Sequence, residues 1–542
     1  MGIYINKGNE DFRRILNSEY VDKTGLIAIV NATLFTEQCF SCVTRSRRFG
    51  KTLAAKMLCA YYDHSCDSRS LFADLQIASD PSFEKHLNKY PVIYLDMTRF
   101  TTQASDVGIV KEIEKRLTAE IVETYPDIPH KEDDDMMDFL LRVADRTGER
   151  FVFIIDEWDA ICRIYTPHTR GMDEYVNWLR RMFKDVTAMK AFAGVYMTGI
   201  LPIKKYETQS ALNNFIEYSM SEPRKMGRFF GFTKEEVRVL AEKHGMDFDE
   251  LEKWYDGYQI GDELSMFNPY SVMQAVDIGR CRSFWVSTGS FDAVANYIKM
   301  NFDGLKDDII CMLGGGRVKV NPTKFQNDMS DIRSKDDVLT VLIHLGYLSY
   351  NWRRDECYVP NLEVAGELVN AVEENKWEHV ANALKQSEQL LEATLACDAD
   401  TVAAMVEAVH TENTSILSYN NENSMACVLS IAYYYAHGDY IFQREFATGK
   451  GFADLVLLPR KNVDTPAIII ELKCRRNPSG SAFSPADEAI AQIKERHYWE
   501  KVSAYMQDHT SACKAEVSLL LVGIGYDKEK KMHDCRIEYK KL

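Results

Sequence analysis

Two apolar stretches near the carboxyl end of the chain carry acidic residues that could bind a metal ion. Asp454 lies in the stretch 451–458, and Glu471 and Lys473 end the stretch 467–473. Side chains alternate faces along a strand, so Glu471 and Lys473 point the same way, and hairpin pairing would put Asp454 beside Glu471. Two carboxylates and a backbone carbonyl are oxygen ligands suited to Mg²⁺, which can present a bound water to a phosphodiester. The pattern indicates metal-dependent hydrolysis, with Lys473 acting on the water.

The same residues also have a simpler interpretation. Glu471 and Lys473 could form an ion pair on an exposed strand face, where such pairs contribute little stability.

Two neighbours extend the candidate site. Glu422 precedes a helical stripe of apolar residues, although a carboxylate in a first helical turn also interacts favourably with the helix dipole. Gln492 lies in an amphipathic helical pattern that ends at Tyr498, and it could orient the water or a phosphate.

The order of these segments is helix, strand, strand and helix. That order resembles the PD-(D/E)xK nuclease superfamily over about residues 405–525, in the branch fused to an AAA-ATPase-like domain in bacterial proteins. The resemblance gives metal binding and catalysis to the two carboxylates and the lysine of the strand pair. Family members have Tyr-His shortly after the first Glu, whereas this chain has residues 423–425, Asn-Ser-Met. The role of Glu422 is therefore less defined than the other three.

Composition limits the classes of function. The chain has 542 residues, enough for two to four domains, and 46% of them are hydrophobic. No apolar stretch approaches the length of a membrane span, and no secretory leader opens the chain, so we expect no membrane partner. Thirteen cysteines without framework spacing favour the reducing cytoplasm. The close pair Cys39 and Cys42 is expected in a strand core rather than in a zinc site.

Charge limits how nucleic acid could bind. The net charge of −16 opposes general adhesion to nucleic acid. Any nucleic acid must therefore meet local basic patches. The candidates are 473–476, beside the proposed metal site, and 528–531, where mixed charges also fit a solvated loop.

A second group of residues, near the amino end, has the chemistry of a nucleotide site. A strand-like stretch at 39–44 leads into the loop 45–50, and Lys51 and Thr52 then open a helical pattern. In such a loop, backbone amides and a helix N-terminus face phosphates, Lys51 reaches the β and γ oxygens of ATP, and Thr52 binds Mg²⁺. Arg45 stands where the usual first glycine falls. The alternative is a basic turn that opens an ordinary helix.

Two further stretches supply acidic and hydroxyl groups. The apolar run 151–155, typical of a buried parallel strand, ends in Asp156 and Glu157. Asp156 would hold Mg²⁺ through water, Glu157 would polarise the attacking water, and Thr198 could sense the γ-phosphate. Taken singly, the acids could cap a helix and Thr198 could begin a turn. Together, these signals favour an ATPase with an α/β architecture. The expected nucleotide-binding residues are Arg45, Arg47, Arg48, Phe49, Gly50, Lys51, Thr52, Asp156 and Thr198.

These amino-terminal segments resemble the AAA-ATPase-like family that carries the nuclease branch. That family has loops of the form R-P-R-R-F-G-K-S, so Arg45 is ordinary there and Ser46 replaces the proline. The resemblance implies ATP and Mg²⁺ as cofactors, and a helical lid after the nucleotide domain. Further shared segments are 20–24, 231–237, 254–258 and 268–271.

The predicted fold class is α/β with several parts. We expect an AAA-like P-loop ATPase domain with a parallel sheet at 1–230, a helical lid at 231–300, a helical middle region at 301–404 and an α/β PD-(D/E)xK nuclease-like domain at 405–542. Within the middle region, a helix and a small hairpin at 334–361 suggest a winged-helix-like module, with a plain spacer as the alternative.

The expected function is that of a cytoplasmic ATPase with a Mg²⁺-dependent nuclease domain that acts on DNA, gated by nucleotide. Its expected partner is nucleic acid, with DNA as the expected substrate, at the carboxy-terminal domain; the choice between DNA and RNA and a homo-oligomer stay open. Two rivals remain: a nucleotide-sensing scaffold whose nuclease fold binds nucleic acid or protein without cutting, and an ATP-driven motor that uses the carboxy-terminal domain as a clamp.

Overall fold

The computed structural model describes residues 2–101, 108–131, 134–164, 170–184, 187–203, 205–206, 209–210, 212–261, 264–285, 302, 304–325, 332–374, 378–413, 429, 432–447, 452–459, 465–475, 484–509, 518–527 and 532–541. The chain divides into two compact units. The amino-terminal unit comprises Met1–Ser287 and Lys319–Val364, and the carboxy-terminal unit comprises Thr288–Val318 and Ala365–Leu542. The division into four segments that the sequence suggests stays a prediction about finer organisation.

A five-stranded parallel sheet forms the centre of the amino-terminal unit. Its strands lie in the order β2-β3-β4-β1-β7. Their bounds are β1 (Phe40–Thr44), β2 (Val92–Asp96), β3 (Phe151–Asp156), β4 (Phe192–Gly199) and β7 (Ile216–Tyr218), with the short pair β5 (Lys205–Tyr206) and β6 (Gln209–Ser210) between the last two. A parallel sheet needs cover on both faces, which explains the continuous apolar sequence of its strands. The predicted α/β class is confirmed.

The two faces of this sheet pack into separate cores. Along β3, Phe153 and Ile155 belong to one core, and Val152 and Ile154 belong to the other, as the alternation of strand side chains requires. Cys42 is buried in the first of these cores, as the sequence predicts. The surrounding helices are α1 (Glu10–Leu16), α2 (Gly25–Asn31), α3 (Lys51–Tyr62), α4 (Arg69–Phe72), α5 (Phe83–His86), α6 (Thr98–Thr101), α7 (Ile109–Thr124), α8 (Met136–Thr147), α9 (Ala160–Ile164), α10 (Arg170–Phe183) and α11 (Ala188–Ala191).

A smaller helical cluster follows the sheet within the same unit. It contains α12 (Lys234–His244), α13 (Phe248–Tyr255), the hairpin of β8 (Tyr258–Ile260) and β9 (Leu264–Met266), and α14 (Pro269–Ile278). Thr233 and Glu236 form a reciprocal capping box that satisfies backbone amides at the start of α12. Phe232, Leu251 and Phe267 belong to the core of this cluster.

Beyond α14 the elements belong to both units. They are α15 (Leu305–Leu313), β10 (Val318–Lys319), α16 (Lys335–Leu345), β11 (Ser349–Asn351), β12 (Glu356–Tyr358), α17 (Leu362–Glu374), α18 (Glu378–Leu395) and α19 (Ala399–Asn413). In the amino-terminal unit, α16 is followed by the antiparallel pair β11 and β12. The predicted helix and hairpin are therefore present, and the winged-helix interpretation stays a prediction.

A five-stranded mixed sheet forms the centre of the carboxy-terminal unit. Its strands lie in chain order as β13 (Tyr440–Ala447), β14 (Phe452–Pro459), β15 (Ala467–Arg475), β16 (Ser518–Asp527) and β17 (Met532–Lys541). Strands β15 and β16 pair in parallel, and the other neighbours pair antiparallel. The connection between β15 and β16 carries α20 (Pro485–Glu495) and α21 (Trp499–His509). Ile490 and Ile493 of α20 pack in one core with Ile469 and Leu521 of the sheet.

No helix in the described part of the chain has the length and apolar composition needed to cross a bilayer.

Candidate functional site

The loop between β1 and α3 wraps around the ammonium group of Lys51. Gly50 precedes the helix with φ +88°, a left-handed conformation that glycine adopts without a Cβ penalty. Lys51 Nζ donates to the carbonyl oxygens of Arg45 and Ser46, each at 2.9 Å. Burial lowers the pKa of Lys51, and the nearby Glu157 carboxylate opposes that shift. The loop therefore presents a buried cation at the N-terminus of a helix.

Asp156, the last residue of β3, joins the loop to the neighbouring strand. Its carboxylate accepts hydrogen bonds from the hydroxyl groups of Thr198 on β4 and Tyr94 on β2. Burial raises the pKa of Asp156, while hydrogen bonds from Thr198 and Thr52 oppose the rise. Thr52 opens α3, so one carboxylate links the hydroxyls that the sequence assigns to Mg²⁺ and γ-phosphate.

Glu157 adopts a left-handed backbone conformation, with φ +54°, at the end of the same strand. Its Oε2 accepts from Arg163 Nη2 at 2.5 Å, and its Oε1 lies 3.8 Å from Lys51 Nζ. Burial acts to raise the pKa of Glu157, but the charges of Lys51 and Arg163 outweigh burial and lower it. The side chain is therefore an ionised carboxylate held between two cations.

These groups line one cavity of about 410 Å³. Two of the charged groups in its walls, Asp96 and Arg163, were not predicted from the sequence. Asp96 ends β2 as Asp156 ends β3, and the two residues are register partners, so the repeated strand-end acid was a usable signal. Arg163 had no comparable signal. The lining residues are Arg47, Arg48, Gly50, Lys51, Thr52, Leu53, Asp96, Thr98, Asp156, Glu157 and Arg163.

Arg45 lies elsewhere, contrary to the prediction that it contacts phosphate. Its side chain is fully buried, and Nη1 donates to the carbonyls of Thr44 and Tyr218 at 2.8 and 2.9 Å. Its backbone amide donates to Gly199 O at 3.1 Å. Burial lowers the pKa of Arg45 to about 10. With these groups engaged beneath the loop, Arg45 supports the loop backbone instead of pointing into the cavity.

A second, apolar cavity of about 280 Å³ adjoins the first and shares Arg48, Gly50 and Leu53 with it. Phe49 lines this cavity and packs edge-on against Tyr258, with ring centroids 4.9 Å apart. The sequence segments 20–24, 231–237 and 268–271, singled out by family resemblance, all contribute walls. The aromatic walls are Tyr20, Phe49, Phe229, Phe232 and Tyr270.

In the carboxy-terminal unit, β14 and β15 pair as the sequence predicts. The register matches Leu455 with Ile470. One residue further along the two strands, Asp454 faces Glu471, and Asp454 Oδ2 accepts from the backbone amide of Leu472 at 2.8 Å. Directly opposed residues of an antiparallel pair project from the same face. The two carboxylates therefore share one side of the sheet.

Glu471 is buried, with 2% of its surface exposed. Its Oε1 accepts a hydrogen bond from Gln492 Nε2 and lies 3.6 Å from Lys473 Nζ, whereas Oε2 is buried with no hydrogen-bond partner. Burial raises the pKa of Glu471 to about 7, and the neighbouring Asp454 charge adds to this rise. An ionised carboxylate here lacks a compensating charge on one of its oxygens.

Helix α20 brings Gln492 to Glu471 because β16 has a glycine at the crossing. A Cβ on Gly523 would come within 2.4 Å of the Ala486 carbonyl oxygen. Gln492 Nε2 also lies 3.1 Å from the hydroxyl of Tyr498, which donates to the Phe452 carbonyl at 3.0 Å. This role of Tyr498 was not predicted from the sequence. Its place at the end of an amphipathic pattern did not reveal this polar contact.

Asp454 and Glu471 fit a divalent cation. Hard carboxylate oxygens suit Mg²⁺, and the unpartnered Glu471 oxygen is the kind of group that a cation would satisfy. Within the described ranges, no cluster of three or more His, Cys, Asp or Glu residues has the geometry of a metal site. The described protein ligands at this position are therefore the two carboxylates. Glu422, Arg476 and the mixed-charge segment 528–531 lie outside the described residues.

Comparisons with known families cover both regions. Residues 6–208 match the AAA-ATPase-like family, described as a predicted AAA-ATPase. Residues 420–515 match a family of the PD-(D/E)XK nuclease superfamily. The chain also resembles a protein of Azotobacter chroococcum mcd 1 described as "Uncharacterized protein in vnfD 5'region", with 22% identity over 518 residues, 92% of this chain and 93% of that protein. Both family resemblances inferred from the sequence are confirmed.

Two solved structures resemble the chain weakly. The Aeropyrum pernix ORC2 protein, in its ADPNP-ADP complexes, is 12% identical, with coverage of 68% of this chain and 98% of that chain and a TM-score of 0.31. CDC6P from Pyrobaculum aerophilum is 11% identical, with coverage of 65% and 93% and a TM-score of 0.23.

Proposed function

We propose that this chain, which carries an AAA-ATPase-like domain and a PD-(D/E)XK nuclease superfamily domain, binds and hydrolyses ATP and cleaves DNA with the help of Mg²⁺. The observation that carries the nuclease half is the buried, unpartnered Oε2 of Glu471 opposite Asp454. Two carboxylates this close repel each other, and a divalent cation between them removes the repulsion. A purely structural ion pair with Lys473 would not need the second acid.

In the nucleotide site, each charged group has a distinct role. Lys51 can exchange the carbonyls of Arg45 and Ser46 for phosphate oxygens, because it already lies at the mouth of a helix N-terminus. Mg²⁺ would supply charge neutralisation at the phosphates, and Thr52 and Asp156 are the residues placed to hold it. Glu157, ionised between two cations, would orient water and accept its proton.

The apolar cavity beside the loop is the proposed place for the nucleotide base. Its aromatic walls, Tyr20, Phe232 and Tyr270 among them, suit a flat ring, and it shares the wall residues Arg48 and Gly50 with the phosphate cavity. The guanidinium of Arg48 already lies 3.9 Å from the Tyr270 ring centroid. Base and phosphates would thus occupy adjoining spaces on either side of the loop.

In the nuclease site, the chain's own groups would hold the cation and orient its water. Mg²⁺ would supply a water of lowered pKa and neutralise charge on the phosphate. Asp454 and Glu471 would hold it, Gln492 would fix the orientation of the Glu471 carboxylate, and Lys473 would position the water. DNA is the proposed substrate on the strength of the superfamily resemblance.

Nucleotide state is proposed to set the cleavage rate. Glu157 pairs with both Lys51 and Arg163, and a γ-phosphate beside these cations would compete for them. A tenfold difference in cleavage rate between two nucleotide states would require about 1.4 kcal/mol of coupling.

The test is a matrix of reactions on the full chain. Labelled single- and double-stranded DNA and RNA are incubated with Mg²⁺, Mn²⁺ or EDTA, each without nucleotide, with ATP and with ADP. The proposal predicts metal-dependent cleavage of DNA and a rate that differs between nucleotide states. Nucleic acid binding without cleavage in every metal would instead support the scaffold, and ATP turnover without cleavage would support the motor.

A further inference from the structure

A groove of about 800 Å³ in the amino-terminal unit belongs to neither proposed site. One wall is the 3-10 helix Arg224–Phe229, which supplies the exposed side chains of Arg224, Lys225 and Arg228. The other wall includes Tyr350 and Trp352, from the hairpin of β11 and β12. The groove therefore sets basic groups across from two aromatic rings.

Trp352 is the unusual member of this surface. Half of its surface is exposed, although an indole is among the side chains that gain most from burial. Its neighbour Arg353 places a guanidinium 5.7 Å from the ring centroid. Tyr350 is fixed, because its hydroxyl donates to Asp355 Oδ1 at 2.8 Å. The indole thus stands at a rigid hairpin turn with its surface open to a ligand.

The charge of the groove is opposite to that of the whole chain. Among the described residues of the groove walls and hairpin turn, the acids are Glu222, which pairs with Arg224 at 3.2 Å, and Asp355. The basic residues are Arg224, Lys225, Arg228, Arg353 and Arg354. In a chain of net charge −16, such a concentration of cations favours the binding of a polyanion in this groove.

We propose that this groove binds single-stranded nucleic acid, with phosphates at the basic wall and a base stacked on Trp352. Unstacked bases present flat faces that an exposed indole can cover, and cations in a groove follow the phosphate backbone. An acidic peptide would use the cations alone and leave the indole without a partner. The proposed function places nucleic acid at the carboxy-terminal unit for cleavage, and this surface is a separate contact.

The test measures binding of fluorescein-labelled oligothymidylate to the full chain by anisotropy, in EDTA so that no metal-dependent cleavage occurs. Trp352→Ala should weaken binding at least about fivefold, since one base stack on an aromatic ring is lost, and Trp352→Phe should restore most of the affinity. Arg224→Ser with Lys225→Ser should reduce the slope of log affinity against log salt by about 1.4, the equivalent of two phosphate contacts on a single strand.

Two controls separate this surface from exposed cations elsewhere in the two units. Arg13→Ser with Arg14→Ser removes two exposed cations of α1 in the same unit and should leave binding unchanged. Lys501→Ser removes an exposed cation of α21 in the carboxy-terminal unit and should also bind oligothymidylate like wild type. Equal affinity of Trp352→Ala and wild type, no binding by wild type, or equally good competition by polyglutamate would overturn the proposal. If the Trp352→Ala chain melts at the same temperature as wild type, any loss of binding comes from the groove and not from unfolding.

Discussion

Gln492 on α20 donates its side-chain amide to Oε1 of Glu471 on β15, while the other oxygen of that carboxylate has no hydrogen-bond partner. The amide therefore fixes the direction in which the second oxygen points. Asp454 faces the same region from β14. The two carboxylates therefore lower the stability of the fold when no cation lies between them, because they repel each other and one buried oxygen has no partner.

Glu471 makes the metal-free chain less stable at higher pH. Its pKa is raised to about 7 in the folded chain from an ordinary value of 4.5, so the fold favours the protonated carboxyl. The free energy of unfolding is therefore highest below pH 4.5 and falls as the pH rises through 7. The loss approaches about 3 kcal/mol by pH 8. In EDTA, Glu471→Gln should therefore melt higher than wild type at pH 8, with a small difference at pH 5, by scanning calorimetry.

Glu538→Gln is the matched control for this measurement, because Glu538 forms a half-exposed ion pair with Lys494 in the same unit. Its melting curve should follow wild type at both pH values. Adding Mg²⁺ at pH 8 should raise the melting temperature of wild type but not that of Glu471→Gln. Parallel pH dependence in wild type and Glu471→Gln would contradict the assigned pKa.

ATP binding and hydrolysis should separate at two residues. Lys51→Ala removes a buried cation from the phosphate loop and should weaken ATP binding more than tenfold by titration calorimetry. Glu157→Gln keeps the shape of the side chain and should leave ATP affinity within about threefold of wild type while it suppresses turnover, since the proton acceptor is lost. Wild-type affinity in Lys51→Ala would remove the nucleotide assignment.

Arg163 should influence the pH at which the rate of ATP hydrolysis falls on the acid side of its pH profile. Arg163 and Lys51 together lower the pKa of Glu157 against the effect of burial. Arg163→Ala should raise that pKa, so the rate should begin to fall at a higher pH than in wild type, while Arg163→Lys should keep most of the wild-type profile. Unchanged profiles in both variants would show that Glu157 is not the titrating group.

Gly523 should be required for the position of Gln492. A methyl group there meets the Ala486 carbonyl at 2.4 Å, so Gly523→Ala should push α20 from the sheet and cost about 1–3 kcal/mol of stability. Cleavage should fall with it. Gly366→Ala is the control, because that Cβ meets nothing within 4 Å and its site lies inside helix α17. Equal stability in the two variants would contradict the close packing.

The sequence predicted the parts of this fold that follow from local pattern. Continuous apolar runs identified β3 and β15. The acids that end these runs were predicted as site residues, because the ends of buried strands reach solvent at one edge of the sheet. The burial of Arg45 could not be predicted, since it depends on the carbonyls of Thr44 and Tyr218, which come together only in the folded sheet. Arg163 escaped notice for the same reason, as only its approach to Glu157 gives it a role.

The most direct test of the account is the single-turnover rate of DNA cleavage in Mg²⁺ by the wild-type chain, Asp454→Ala and the control Glu538→Gln. We expect cleavage by wild type and by Glu538→Gln, and loss of metal-dependent cleavage in Asp454→Ala with its fold retained, because the remaining carboxylate cannot hold the cation alone. Cleavage by Asp454→Ala at the wild-type rate would contradict the account.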